Sequence, residues 1–161
     1  MPSLLYSLPC MRALFYSLIA GLLFTLPAQA QRPPVRWGDV DIADLEMDSF
    51  PADTNATAVV LVDHSFSEVE PSGEITTKRY RRVKLLSAAA FDDWGAFGIS
   101  YNANDRIQRV SDVKGQTLTL GEDGKVDKHK VGKRDILKED LPNGYELIRF
   151  TFPALAPGAI V

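Results

Sequence analysis

The sequence predicts a mainly β domain of the sandwich type, with one or two short helices, preceded by a cleavable signal peptide. Three observations carry that expectation. Residues 1–30 have the order of an export signal, the residues after them hold several short apolar or alternating runs, and clusters of Pro, Gly, Asn and Asp separate those runs.

The leader is read from its order. Arg12 supplies a positive start, residues 13–26 form an apolar run broken only by Ser17, Gly21 and Thr25, and Ala28-Gln29-Ala30 sets small residues around a cleavage point. A spanning helix needs about 20 apolar residues; this run is shorter and Pro27 closes it. Cleavage after Ala30, with Ala28 and Ala30 as the recognition residues, is therefore expected in place of a retained anchor. Cys10 is the one cysteine and precedes the apolar run, so it is misplaced for lipidation behind a signal and leaves with the leader. The mature stretch 31–161, which is 161 minus 30 or 131 residues, has the size of one domain and no thiol. In an oxidising compartment, periplasm or exterior, it must rely on a packed core.

Along the mature stretch, Asp41 can cap a short helix through Leu45 and Met47, and Pro51 discourages its continuation past Phe50. Residues 58–62, Ala-Val-Val-Leu-Val, are apolar at every position and rich in β-branched side chains, so a strand covered on both faces is expected there. A turn at Pro71-Ser72-Gly73 leads to a long strand over 75–86, whose alternation breaks between Tyr80 and Val83, so a bulge is expected near Arg81 and Arg82. Residues 88–94 suit a turn or two of helix that buries Phe91 and Trp94 and stops at Gly95. Extended chain around 97–101 and a strand over 107–120 precede the hairpin signal Glu122-Asp123-Gly124, where Asp and Gly both tolerate positive φ, and 125–131 form the returning strand. Pro142-Asn143-Gly144 reverses the chain again before a strand in which Ile148, Phe150 and Phe152 share one face.

Charge narrows the partners. The formal net charge of −3 becomes −4 once Arg12 is removed, which leaves the molecule as a whole no attraction for a phosphate backbone; nucleic acid is not an expected partner. The distribution is uneven: residues 37–77 contain no Lys or Arg, while 78–134 hold most of them. Two faces that attract one another within the domain account for this, as would a docking surface for another domain.

Chemistry is mostly excluded. Without a mature cysteine there is no thiolate nucleophile and no thiolate zinc ligand. His64 and His129 lie far apart and form no helical ligand pair, and Asp63 beside His64 points to the opposite face of a strand. The carboxylate pairs Asp92-Asp93 and Glu139-Asp140 diverge in direction in the same way. No catalytic residue, cofactor site or metal site is expected. The one stretch that suggests binding is basic: Lys78, Arg79, Arg81, Arg82 and Lys84, with Tyr80 among them, would offer an anionic glycan, peptide, lipid or other component of the cell envelope a row of cations. The alternative is a strand whose Lys and Arg stems cover apolar surface while their heads stay wet. Asn55-Ala56-Thr57 fits the acceptor pattern for N-glycosylation, and nothing in the sequence indicates a glycosylating host.

The order of the segments resembles a domain of unknown function (DUF) that sits N-terminal to transglutaminase-like domains in exported bacterial proteins. The resemblance runs through Trp37-Gly38-Asp39-Val40 and residues 42–47, Phe50-Pro51-Ala52-Asp53, Ala58-Val59-Val60-Leu61, residues 80–86, the strand and turn over 107–124, and residues 152–161. It implies an Ig-like β-sandwich and a non-catalytic accessory or interaction role beside a papain-like cysteine domain in the same polypeptide. It transfers no catalytic residue to this stretch. Pro157-Gly158 is a turn, and residues 159–161 read as the opening of an apolar strand with no polar tail. A fragment of a longer exported protein is therefore expected. The other class of reading is a free-standing exported binding protein that uses the basic strand.

Overall fold

The computed structural model describes residues 36–104 and 108–161. The leader expected over 1–30, with Ala28 and Ala30, lies outside them. The described chain is mainly β and contains a short helix α1 (Ile42–Glu46), seven strands, and a second short helix α2 (Phe91–Trp94) entered from a 3-10 turn at Ala88–Ala90. The strands are β1 (Ala58–Val69), β2 (Ile75–Leu85), β3 (Ala96–Asn102), β4 (Gln116–Leu120), β5 (Val126–Lys130), β6 (Leu137–Leu141) and β7 (Tyr145–Thr151).

Every pairing is antiparallel. β1 pairs with β2, β4 with β5, and β7 lies between β3 and β6. The hairpins β1-β2 and β4-β5 belong to one sheet because residues 159–161 run between them. Val83 and Val161 exchange N–H···O bonds at 2.8 and 2.9 Å, Leu85 N–H donates to the Ala159 carbonyl at 2.8 Å, and on the other side Leu118 and Ile160 exchange bonds at 2.8 and 2.9 Å. The expected strand at 159–161 is thus present, and it occupies the middle of the larger sheet.

Local chemistry explains most of the elements. The Asp41 carboxylate caps α1 by accepting the Ala43 N–H at 3.1 Å. Glycines at φ +85° and +74° complete the turns at Gly73 and Gly124. The Asp123-Gly124 turn uses positive φ only at the glycine, because the loop closes as a longer Gly121-to-Lys125 reversal. Asn143 at φ +61° and Gly144 at φ +73° reverse the chain between β6 and β7.

Three expectations need correction. Residues 58–62 are not covered on both faces: β1 is an edge strand, and Val60 is 46% exposed. The run buried on both faces is Val83-Lys84-Leu85 in β2, which a lysine disguises. The bulge exists but lies in β1: Val60 pairs with Val83 and Val62 with Arg82, leaving Leu61 as the extra residue opposite the expected position. The strand expected over 107–120 is confined to Gln116–Leu120; residue 107 lies outside the described residues, and Asp112 at φ +56° takes the chain out of β geometry before Gly115. β6 was not expected at all, since Leu-Lys-Glu-Asp-Leu carries little strand character. It is an edge strand, where charge is tolerated and guards against unwanted pairing.

The core lies on both faces of the larger sheet. On one, Leu45 of α1 packs against Leu118 and Ile160, with Val40, Leu61 and Val126 around them. On the other, Val83, Leu85 and Ala90 pack with Phe91 and Trp94, three apart on α2 as expected, and with Leu155 and Val161. In the smaller sheet Phe150 stacks on Phe97 at 5.2 Å and meets Phe152 edge-on at 5.1 Å. A Cβ at Gly115 would come within 2.3 Å of the Phe150 ring, so the chain entering β4 passes directly against that aromatic group.

Ile160→Ala removes a buried side chain from the centre of the sheet and is expected to cost about 2–5 kcal/mol in urea denaturation. A loss of less than about 1 kcal/mol would show that the Ile160 side chain contributes little to the Leu45–Leu118 cluster.

Candidate functional site

Each member of the basic stretch is engaged within the domain. β-alternation places Lys78, Arg82 and Lys84 on one face of β2 and Arg79 and Arg81 on the other. Lys78 lies 3.8 Å from the Glu68 carboxylate. Arg79 forms a two-point pair with Asp63, Nε at 2.9 Å and a terminal nitrogen at 2.7 Å, and Arg81 reaches the same carboxylate at 3.0 Å. The Arg81 guanidinium also lies over the Trp94 ring, 5.8 Å from its centroid. Arg82 donates to the Asp39 carbonyl. Lys84 is no surface residue: its exposure is 0%, and its ammonium donates to the carbonyls of Leu45 at 2.5 Å and Gly158 at 2.7 Å. The reason is its position. β2 is interior to the sheet at this point, and α1 covers the face from which the amine emerges.

These bonds describe a strap. Residues 36–48 cross one face of the larger sheet, held by Arg82 on the Asp39 carbonyl, Lys84 on the Leu45 carbonyl and, from β5, Lys128 on the Gly38 carbonyl at 2.5 Å. The cations grip the backbone of the strap. Burial lowers the Lys84 pKa below the ordinary lysine value, and Asp44 and Asp48 nearby act in the opposite direction. The uneven charge along the sequence is thereby resolved inside the domain, since Asp63, Glu68 and Glu74 of the acidic part pair with Arg79, Arg81, Lys78 and Arg109 of the basic part.

A second cluster was not expected from the sequence. On the smaller sheet Tyr101 of β3 stands opposite Glu146 of β7 and donates its hydroxyl to that carboxylate, and Lys138 of β6 reaches the same oxygen at 2.7 Å. The three residues come from three strands, so only knowledge of the register could bring them together. Lys138 and Tyr101 hold the Glu146 carboxyl below its usual range. Glu146 in turn raises the pKa of both Tyr101 and Lys138. The shifts favour the ionised Glu146 and Lys138 and the neutral Tyr101 hydroxyl, so the cluster is an ion pair with a hydroxyl attached. The remaining candidates do not converge. His64 Nε2 is buried without a partner, His129 is exposed on β5, Asp92 and Asp93 are exposed on α2, and Glu139 pairs with Arg149 at 2.5 Å while Asp140 faces the other side. Among the described residues no group of three or more His, Cys, Asp or Glu is placed to hold a metal ion.

Asp63 links the site to pH. Its two arginines, Arg79 first, lower its pKa from 3.8 to about 2. A carboxyl with a depressed folded pKa stabilises fully above the unfolded value and loses that contribution as pH falls through the folded one. Acid denaturation monitored by circular dichroism is therefore expected to steepen between pH 3.8 and about 2, and Asp63→Asn should flatten that window. An unchanged profile would remove Asp63 from the stabilising network.

Comparison with known proteins places this arrangement. A search of curated proteins returns no match. Among solved structures, the fold is similar to a crystal structure from Parabacteroides distasonis ATCC 8503 described as a candidate protease, with a TM-score of 0.50 and 14% identity. The likeness covers 65% of this chain and 21% of that one, so the domain spans about a fifth of the longer protein. A family model, that of a domain of unknown function with solved structure, DUF3857, matches residues 71–161. With more than half of its length so matched, this chain belongs to the DUF3857 family.

Proposed function

We propose that the domain is a non-catalytic accessory module of an exported protein, working beside a transglutaminase-like, papain-like cysteine domain in the same polypeptide. The observation that supports it best is that the domain's ionisable groups are spent on its own architecture. The basic strand is neutralised by Asp63 and Glu68 or turned onto backbone carbonyls, and the Tyr101–Glu146–Lys138 cluster is fixed in its charged and hydroxyl forms. Such a domain has little to offer as a reactive centre and much as a rigid support. The similar fold from Parabacteroides distasonis, a minor part of a longer chain described as a candidate protease, is consistent with a module carried next to a bond-cleaving domain. Binding an anionic glycan, peptide or lipid through 78–84 has less to stand on, because Lys84 is buried and Arg79 and Arg81 share one carboxylate.

The native polypeptide purified from its source is expected to extend past residue 161 and to carry a cysteine whose alkylation abolishes transamidating or peptide-cleaving activity. Residues 31–161 expressed alone should show neither activity. Turnover by that domain alone, lost on Glu146→Gln, would overturn the proposal, as would a native polypeptide ending at Val161.

A further inference from the structure

The acceptor pattern Asn55-Ala56-Thr57 has no part in the role proposed above, and its setting in the fold bears on it directly. It is the one place in the chain where Asn is followed two residues later by Ser or Thr; Asn102, Asn104 and Asn143 lack that partner. The pattern occupies two successive turns between α1 and β1. Asp53 N–H donates to the Phe50 carbonyl at 3.0 Å, and Ala56 N–H donates to the Asp53 carbonyl at 3.1 Å, which makes Thr54 and Asn55 the central residues of the second turn. The Asp53 carboxylate accepts the Asn55 N–H at 3.0 Å, an Asx turn that occupies the backbone donor and leaves the carboxamide to solvent. Asn55 and Thr57 are exposed, and among the described residues neither side chain has a hydrogen-bond partner.

The backbone is held while the side chains are free. The Thr57 carbonyl accepts the N–H groups of Leu86 at 2.8 Å and Ser87 at 3.1 Å, which anchors the turn to the end of β2. β1, which begins at the next residue, is an edge strand with no neighbour on its outer side among the described residues, so nothing described there blocks approach. We propose that Asn55 is an N-glycosylation acceptor, modified by a glycosyltransferase of the compartment to which the chain is exported, with a lipid-pyrophosphate-linked glycan as donor. Asn55 Nδ2 forms a bond to the anomeric carbon as the bond from that carbon to the phosphate oxygen breaks. The lipid pyrophosphate leaves with the electron pair, and the amide gives one proton to a base of the transferase. The Thr57 hydroxyl is the group by which the enzyme distinguishes this asparagine, and the Asp53 carboxylate offers it a charged contact. A glycan here would be attached three residues before the edge strand β1 begins, and its bulk would hinder strand-to-strand association at that end of the sheet.

The test exports the full chain, under the host's own signal, in cells that contain an oligosaccharyl transferase and its lipid-linked donor, beside a control protein glycosylated in the same cells. Intact mass should rise by one glycan, and peptide mapping should place it on Asn55. The addition should vanish in Asn55→Gln and Thr57→Ala and persist in Thr57→Ser, none of which disturbs a hydrogen bond described above. An unmodified chain beside a modified control, or a glycan that survives Asn55→Gln, would overturn the assignment.

Discussion

Residues 159–161 are three residues of backbone on which two hairpins depend. Their N–H and C=O groups bond to β2 on one side and β4 on the other, and without them the larger sheet would be a pair of separate two-stranded ribbons. An isolated hairpin is marginal in water. Inserted between two of them, the segment satisfies the inner edges of both and aligns their apolar faces. Ile160 then meets Leu45 and Leu118 on one side, while Val161 meets the Val83 and Leu85 cluster on the other. The turn before it contributes too, since the Gly158 carbonyl is one of the two that receive the Lys84 ammonium.

Lys84 is where the costs concentrate. A buried ammonium is expensive unless its donors are met, and here two of its three donors meet carbonyls, one from α1 and one from the turn leading to the central segment. The lysine therefore fixes the strap of residues 36–48 and residues 158–161 against one another, although they lie at opposite ends of the domain's sequence. Arg82 and Lys128 repeat the arrangement at the Asp39 and Gly38 carbonyls. Lys84 and Arg82, which suggest a binding surface when read along the chain, are internal fasteners in the fold.

The same economy marks the other charged groups. Asp63 is shared by two arginines, and Glu146 by a lysine and a tyrosine. A reactive centre needs an acid or base held near neutrality or a nucleophile with its activator. The pairings described do the reverse, holding each carboxylate ionised and each cation protonated. The exposed turn at Asn55 stands apart from these pairings: its backbone N–H is bonded to the Asp53 carboxylate, while its carboxamide faces solvent.

Much of the fold was legible in the sequence. The α1 cap at Asp41, the turns at Gly73, Gly124 and Asn143-Gly144, the presence of β2, the strand periodicity of β7, and the Phe91–Trp94 face of α2 all follow from local rules, because φ, capping and alternation are decided by neighbours in the chain. What the tertiary structure decided was everything that turns on pairing. It set which strand lies at an edge, so that apolar 58–62 is partly open while Val83-Lys84-Leu85 is buried. It placed the bulge at Leu61, admitted a charged β6, and brought Tyr101 to Glu146. Hydrogen bonds between distant segments leave no local trace, and a lysine reads the same whether its amine meets water or two buried carbonyls.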